Sequence, residues 1–336
     1  MIKLGIVGYG YWGPNIVRNF LAQPDCQVVA VCDKNPAALA RVASRHPGVR
    51  AITDVHEIVN SSEIDAVAIV TPVSWHYPLA KKALENGKHV FIEKPFTATS
   101  AEAEELIEIA ERKNLQIMVD HTFLFTGAVR KMKQLIDEGA LGPLYYYDST
   151  RVNLGLFQHD VNVLWDLAPH DLAIMDYLIG LKPELVVATG RAHVNTLEDV
   201  AYLTIYFPGS VIAHINVNWL SPVKVRTTLV GGQRKMLVWN DLDPTEKIRV
   251  YDKGADVRTE QGVHQLLVSY RSGDMWAPKI EELEALQLES RYFLDCVANG
   301  ARPFNDGHAG LRVVKLLEAA EQSLKQHKEI AFAGAR

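Results

Sequence analysis

Ile2-Lys3-Leu4-Gly5-Ile6-Val7-Gly8-Tyr9-Gly10-Tyr11-Trp12-Gly13-Pro14 stands at the head of the sequence. Six residues with the look of a buried strand run directly into a G-x-G-x-x-G turn formed by Gly8, Gly10 and Gly13. Pro14 then falls in the first turn of an expected helix, where its missing N–H is no loss. With 22 glycines in 336 residues, chance supplies about 0.1 such spacings per chain, so the pattern alone is modest evidence. Its setting between strand and helix makes it stronger. Glycines placed this way let the backbone approach a pyrophosphate, which rests on the unpaired N–H groups of the helix N-terminus, with Tyr11 and Trp12 flanking it. A tight turn without a ligand would use the same residues.

Outward from this turn the chain repeats one unit. Strand-like runs at 2–7, 27–32, 49–52, 65–70, 88–92 and 115–119 alternate with helical stretches at 14–22, 36–45, 54–60, 75–86 and 100–113. The runs are continuously apolar, as strands covered on both faces are. Short links between strand, helix and strand give parallel crossovers, so residues 1–121 are expected to form an α/β Rossmann domain around a doubly wound parallel sheet. Beyond residue 122 the pattern changes. A helix at 127–138 gives way to strands at 144–153, 184–194, 199–207, 211–219, 225–231, 235–239 and 247–251, and helices return at 281–299 and 308–326. Alternation such as VIAHINVNW at 211–219 points to a mostly antiparallel sheet with one open face, in an α+β domain spanning 122–336. An open face needs cover, so a homodimer or homotetramer formed through that sheet is expected.

The chemistry-bearing residues fall at strand ends. Asp33 closes the second strand twenty residues beyond Gly13, where a carboxylate accepts hydrogen bonds from ribose hydroxyls. It would repel a 2′-phosphate and so favours NAD over NADP. The adjacent Lys34 pulls the other way and leaves NADP open, and Asp33 is equally placed to cap the helix from Pro36. Thr71, Pro72 and His76 follow the fourth strand at the edge where open α/β sheets bind ligands, although a histidine there can simply begin a helix. Glu93-Lys94-Pro95 ends the fifth strand, and a lysine there can hold a substrate hydroxyl and stabilise a developing alkoxide. Lys94–Pro95 is a candidate cis bond. A solvated Lys94–Glu93 ion pair is the plainer alternative.

Composition narrows the classes. A formal net charge of −5, from 35 basic and 40 acidic residues, provides no basic face for nucleic acid or an anionic membrane. No apolar run approaches the roughly 18 residues of a membrane span, and no leader-like n- and h-region precedes the first strand, so a cytoplasmic protein is expected. Three cysteines, Cys26, Cys32 and Cys296, are too scattered for a disulfide framework or a zinc knuckle, and no metal site is expected. His56-Glu57 lacks the second histidine of a zinc motif, and neither a Walker A sequence nor G-x-S-x-G is present.

Gly8-x-Gly10-x-x-Gly13, Thr71-Pro72 with His76, and Gly87-Lys88-His89-Val90 running into Glu93-Lys94-Pro95 together resemble the glucose–fructose oxidoreductase / inositol dehydrogenase / rhizopine catabolism (Gfo/Idh/MocA) family. The resemblance covers the N-terminal half and agrees with the layout of the second. It implies a third signature, met here by Asp166-Leu167-Ala168-Pro169-His170. His170 would serve as general base, Asp166 would orient it, and Lys94 would complete the site. A neighbouring carboxylate stabilises an imidazolium as it forms, which agrees with these roles. Val161-Asn162-Val163 stands where the family carries glycines, and Ala168 where it carries another. Asn153 and Asn162 offer amides to sugar hydroxyls, or cap loops. The implied activity is NAD(P)-dependent oxidation of a secondary hydroxyl of a sugar or sugar nucleotide, with C3 of a UDP-linked N-acetylhexosamine favoured. Inositol, a free sugar, or a non-catalytic NAD(P)-sensing role are the alternatives.

Overall fold

A computed structural model of the chain describes residues 1–155, 157–252, 254–258, 267–271 and 273–332. It divides into two compact units, one made of Met1–Thr126 with Leu283–Glu318 and the other of Gly127–Glu282 with the chain from Ala319 on.

The N-terminal segment alternates strand and helix as expected: β1 (Ile2–Val7), α1 (Gly13–Leu21), β2 (Cys26–Cys32), α2 (Pro36–Arg45), β3 (Arg50–Ile52), α3 (His56–Val59), β4 (Ala66–Ile69), α4 (His76–Glu85), β5 (His89–Glu93), α5 (Ser100–Lys113) and β6 (Ile117–Asp120). The strands lie in the order β3-β2-β1-β4-β5-β6, and every pairing is parallel. This is the doubly wound arrangement, whose order reverses between β1 and β4 and opens a crevice at their carboxyl ends. Leu4, Ile6, Ala66, Val67, Ala68 and Ile69 are fully buried, which is why these strands read as unbroken apolar runs. Helix ends follow local chemistry. Thr99 and Glu102 form a capping box at the start of α5, and Asn114 ends the helix with φ 54° in the left-handed region.

The remaining elements are α6 (Gly127–Asp137), β7 (Leu144–Leu154), α7 (Val163–Ile179), β8 (Leu185–Arg191), β9 (Val200–Tyr206), β10 (Ile212–Asn218), β11 (Leu220–Gly232), β12 (Met236–Asn240), β13 (Ile248–Tyr251), β14 (Gly254–Arg258), β15 (Leu267–Arg271), β16 (Met275–Trp276), α8 (Ala285–Asn299), α9 (Gly307–Gln326) and β17 (Ile330–Ala331). Nine of these strands form one sheet, ordered β16-β13-β12-β11-β7-β10-β9-β8-β17. It is antiparallel except where β10 runs parallel to β7. Ala213, Ile215 and Val217 of β10 are buried, while Tyr206 and Ile212, paired across β9 and β10, lie on the opposite, open face. Periodicity alone does not reveal α7. Eleven of its 17 residues are buried, so it shows no polar stripe, and Pro169 interrupts the pattern. Among the described residues no helix is long and apolar enough to cross a membrane.

One feature departs from the expected boundary at 121/122. Leu283–Glu318, with α8 and most of α9, belongs to the first unit. Phe293 of α8 is fully buried, with ring centroids 6.1 Å from Phe20 and 5.6 Å from Phe91, themselves 5.5 Å apart, all edge-to-face. Asn305 continues the cover, since its carbonyl accepts the Val119 N–H at 2.9 Å and its side-chain amide donates to the Val119 carbonyl at 2.8 Å. Phe293→Ala should therefore cost about 3–5 kcal/mol, the usual loss for a truncated core aromatic, read as the shift in the denaturant midpoint of the first unit's unfolding.

Candidate functional site

The glycine turn works through two close approaches and one gap. Gly8 has φ +103°, and a Cβ on it would lie 2.1 Å from the Val70 carbonyl oxygen. A Cβ on Gly13 would meet the Gly8 carbonyl oxygen at 2.5 Å, so only glycine lets α1 begin directly against the strand end. Gly10 differs, since a Cβ there would touch nothing within 4 Å. Helix α1 has no side-chain cap and no acidic residue in its first turn, which leaves its N-terminal dipole open to an anion. Tyr11 is exposed, and Trp12 turns its indole inward to donate from Nε1 to Asp120 Oδ2 at 3.1 Å.

Asp33 ties the end of β2 to this turn. Its Oδ2 accepts the Tyr9 N–H and its Oδ1 the Asn35 N–H, each at 2.7 Å. The cap of α2 is Asn35, whose side chain accepts from Ala37, so the alternative reading of Asp33 as that cap does not hold. A carboxylate has about four acceptor positions, and two remain for ribose hydroxyls. Lys34 places its ammonium 4.3 Å from the centre of the Trp75 ring. Together with Gly8, Gly10, Thr71 and Pro72, these residues line a cavity of about 390 Å³. Thr71 Oγ1 is buried there without a partner among the described residues. An uncapped helix end, a gap over Gly10, a ribose-ready carboxylate and an orphaned hydroxyl fit the pyrophosphate and adenosine of a dinucleotide.

His76 corrects an expectation. Its ring is 1% exposed, with Nδ1 2.9 Å from the Pro95 carbonyl and Nε2 2.8 Å from the Thr71 carbonyl. It braces two loops from beneath and presents no free nitrogen to a cofactor. Two carbonyl partners favour the imidazolium, but burial outweighs them, with Lys94 nearby, and the net shift is downward. The Lys94–Pro95 bond is cis. Lys94 is half-buried just beyond the end of β5, where Glu93 pairs with Asp120 of β6. Sequence reading missed His121, the next residue along. It is 2% exposed, neither ring nitrogen has a partner among the described residues, and burial with the nearby charges of Lys94 and Arg312 pushes it down to about 3.

In the second unit, α7 carries Asp166 and His170 one turn apart on one face. Asp166 Oδ2 accepts the indole N–H of Trp219 at 3.0 Å. Asn153 belongs to the same corner, because a Cβ on Gly155 would lie 3.0 Å from its amide nitrogen and 3.1 Å from the Trp219 ring. Asn162 does not serve as a sugar ligand: its Oδ1 caps α7 by accepting the Trp165 N–H at 3.3 Å, and its Nδ2 donates to Glu198 at 3.0 Å. The neighbour of His170, Asp171, forms a buried ion pair with Arg151 of β7 at 2.5 Å. The Asp171 carbonyl also accepts the Tyr147 hydroxyl at 3.2 Å. These bonds lock the histidine-bearing turn onto the covered face of the sheet. Neither Trp219 nor Arg151 carried a motif signal: Arg151 is an inward residue of β7, and Trp219 is the buried residue between β10 and β11.

Comparison with known proteins agrees with this geometry. Residues 2–121 match the model of an oxidoreductase family with an NAD-binding Rossmann fold, and residues 129–238 match the GFO/IDH/MocA C-terminal domain. The chain belongs to the GFO/IDH/MocA oxidoreductase family. It is 29% identical over 317 residues to a UDP-N-acetylglucosamine 3-dehydrogenase of Acidithiobacillus ferrooxidans, covering 93% of this chain and 94% of that one. The solved structure of that relative superposes with a TM-score of 0.83, at 27% identity over 97% and 98% of the two chains. A scyllo-inositol 2-dehydrogenase (NAD(+)) of Bacillus subtilis is 28% identical over 90% of this chain and 86% of its own. An oxidoreductase of Escherichia coli K12 is 30% identical over 73% of each. The GFO/IDH/MocA first unit is thus an NAD-binding Rossmann unit.

The glycine geometry separates folding from binding. Gly10→Ala should keep stability within about 0.5 kcal/mol, as an uncrowded surface change does, while weakening NADH binding by roughly tenfold or more. Gly8→Ala should cost more than about 1 kcal/mol, because an L side chain is strained at its φ. Thermal melts and NADH calorimetry on the two variants check both expectations.

Proposed function

We propose that this family member oxidises a secondary hydroxyl of a sugar with NAD, and that the substrate position is C3 of a UDP-linked N-acetylhexosamine. The observation that carries the reading is the pairing of Asp166 and His170 on one face of α7, with Trp219 donating to Asp166. His170 takes the hydroxyl proton, and its Nδ1 is buried. Asp166 stabilises the imidazolium that results, and Trp219 keeps that carboxylate in place. Lys94 donates to the substrate oxygen and steadies its developing charge. When bound, the nicotinamide ring accepts the hydride. Asp33 supports NAD over NADP, since a carboxylate at the ribose repels a 2′-phosphate.

The choice of a sugar nucleotide rests on near-full-length similarity to a UDP-N-acetylglucosamine 3-dehydrogenase. The inositol enzyme of nearly equal similarity supports a second reading, a polyol dehydrogenase. Calorimetric binding in the presence of NADH distinguishes them, because binding is unaffected by an unfavourable oxidation equilibrium. UDP-N-acetylglucosamine should bind at micromolar concentration and inositols should not. Inositol binding alone overturns the sugar-nucleotide reading, and binding of neither favours an NAD(P)-sensing role.

Lys94→Ala should lower turnover of the bound substrate by about 100-fold or more, the usual loss of an oxyanion donor, with NADH affinity nearly unchanged. A variant retaining more than about a tenth of the wild-type rate would exclude that role for Lys94.

A further inference from the structure

Two carboxyl groups are buried in the first unit, and the reaction just described uses neither. Asp120, the last residue of β6, is 1% exposed, and Glu289 of α8 is fully buried. Asp120 Oδ2 accepts the Trp12 indole N–H at 3.1 Å, and Oδ1 accepts the Thr122 hydroxyl. Glu289 Oε1 accepts the amide of Asn305 at 3.2 Å. Glu289 Oε2 meets no donor among the described residues, as expected of an oxygen that carries its own proton.

Two ionised carboxylates do not share a dry site, so one of the pair keeps a proton. Burial first, and then the charge of Asp120, holds the Glu289 carboxyl well above the usual range. Burial raises the Asp120 carboxyl as well, but the hydrogen bonds from Thr122 and Trp12 pull it back, so with Glu289 neutral Asp120 stays the acceptor for both. Trp12 lies between Gly10 and Gly13 and precedes the first residue of α1. A bond made by its side chain therefore constrains the backbone that would face a pyrophosphate.

We propose that Asp120 and Glu289 are positioning residues for the cofactor loop: the proton they share makes Asp120 the acceptor that fixes Trp12, and with it the Gly10–Gly13 backbone, in its binding conformation. The inference rests on the glycine turn being the pyrophosphate site. The loop is thereby secured to the edge strand β6, by a carboxylate more than 100 residues away, and to a proton held on α8. Hydrogen bonds to an ionised partner are among the stronger ones, and the loss of this one should be visible in binding.

The test is NADH calorimetry with parallel thermal melts on the full chain. Trp12→Phe, which deletes the N–H and keeps a ring, should weaken NADH about tenfold with little change in melting temperature. Asp120→Ala should weaken NADH similarly and also melt earlier, since it strands Glu289 and the indole. Asp120→Asn should bind within about threefold of wild type, because its amide oxygen accepts from Trp12 and its NH2 donates to Glu289. The Trp12→Phe/Asp120→Ala double variant should bind no more weakly than either single variant, as expected of one coupled contact. Wild-type affinity in Trp12→Phe, no rescue by Asp120→Asn, or additive losses in the double variant would each overturn the proposal. Gly10→Ala identifies which reading has failed. If that variant binds NADH as wild type does, the glycine turn is not the site; if it weakens binding while Trp12→Phe does not, only the positioning role is lost.

Discussion

The first unit depends on one contact between backbones, the approach of Gly13 to the carbonyl of Gly8. It starts α1 against the end of β1 and points the helix N-terminus along the carboxyl edge of the sheet. Around this contact the neighbouring pieces are tied by short bonds. The Gly8 N–H reaches the Cys32 carbonyl at 2.8 Å, the Tyr9 N–H reaches Asp33, and Trp12 reaches Asp120. The ends of two strands, β2 and β6, thus hold one turn. A dinucleotide meets a surface whose donors are already oriented, so little ordering cost attaches to binding there.

The second unit fixes its reactive corner differently. Its reactive side chains sit on a helix that is apolar nearly all round and anchored by a buried ion pair. Removing either partner of such a pair leaves a desolvated charge, so Arg151 and Asp171 act less as a source of net stability than as a register mark for α7. His170, beside Asp171, inherits that register. Pro169, just before it, cannot donate to the Trp165 carbonyl one turn back, so the helix is weakest in its own hydrogen bonding where the outside anchors are strongest.

Much of this was legible in the sequence because it is local. Strand runs covered on both faces are apolar throughout, and glycine spacing records close backbone approach; the cap of α2 is expected at Asp33 and lies at Asn35, two residues on, because either side chain can accept the same N–H groups. The destination of Leu283–Glu318 was not legible, since an amphipathic helix carries the pattern of its buried face and not the address of its partner. His76 and Asn162 show a second limit. Their side chains suit ligand chemistry and equally suit bracing and capping, and only burial and partner geometry separate the two. Asp120 and Glu289 show a third, because a buried carboxyl pair far apart in sequence leaves no spacing to find.

The return of Leu283–Glu318 to the first unit has a consequence during synthesis. Phe20 and Phe91 are made early, but Phe293, which covers them, is made about 200 residues after Phe91. At ordinary translation speeds the nascent Rossmann segment waits on the order of 10 s with that aromatic surface uncovered. For that interval it is an adhesive patch on an almost finished sheet. It stays so until α8, which carries Phe293, has been made.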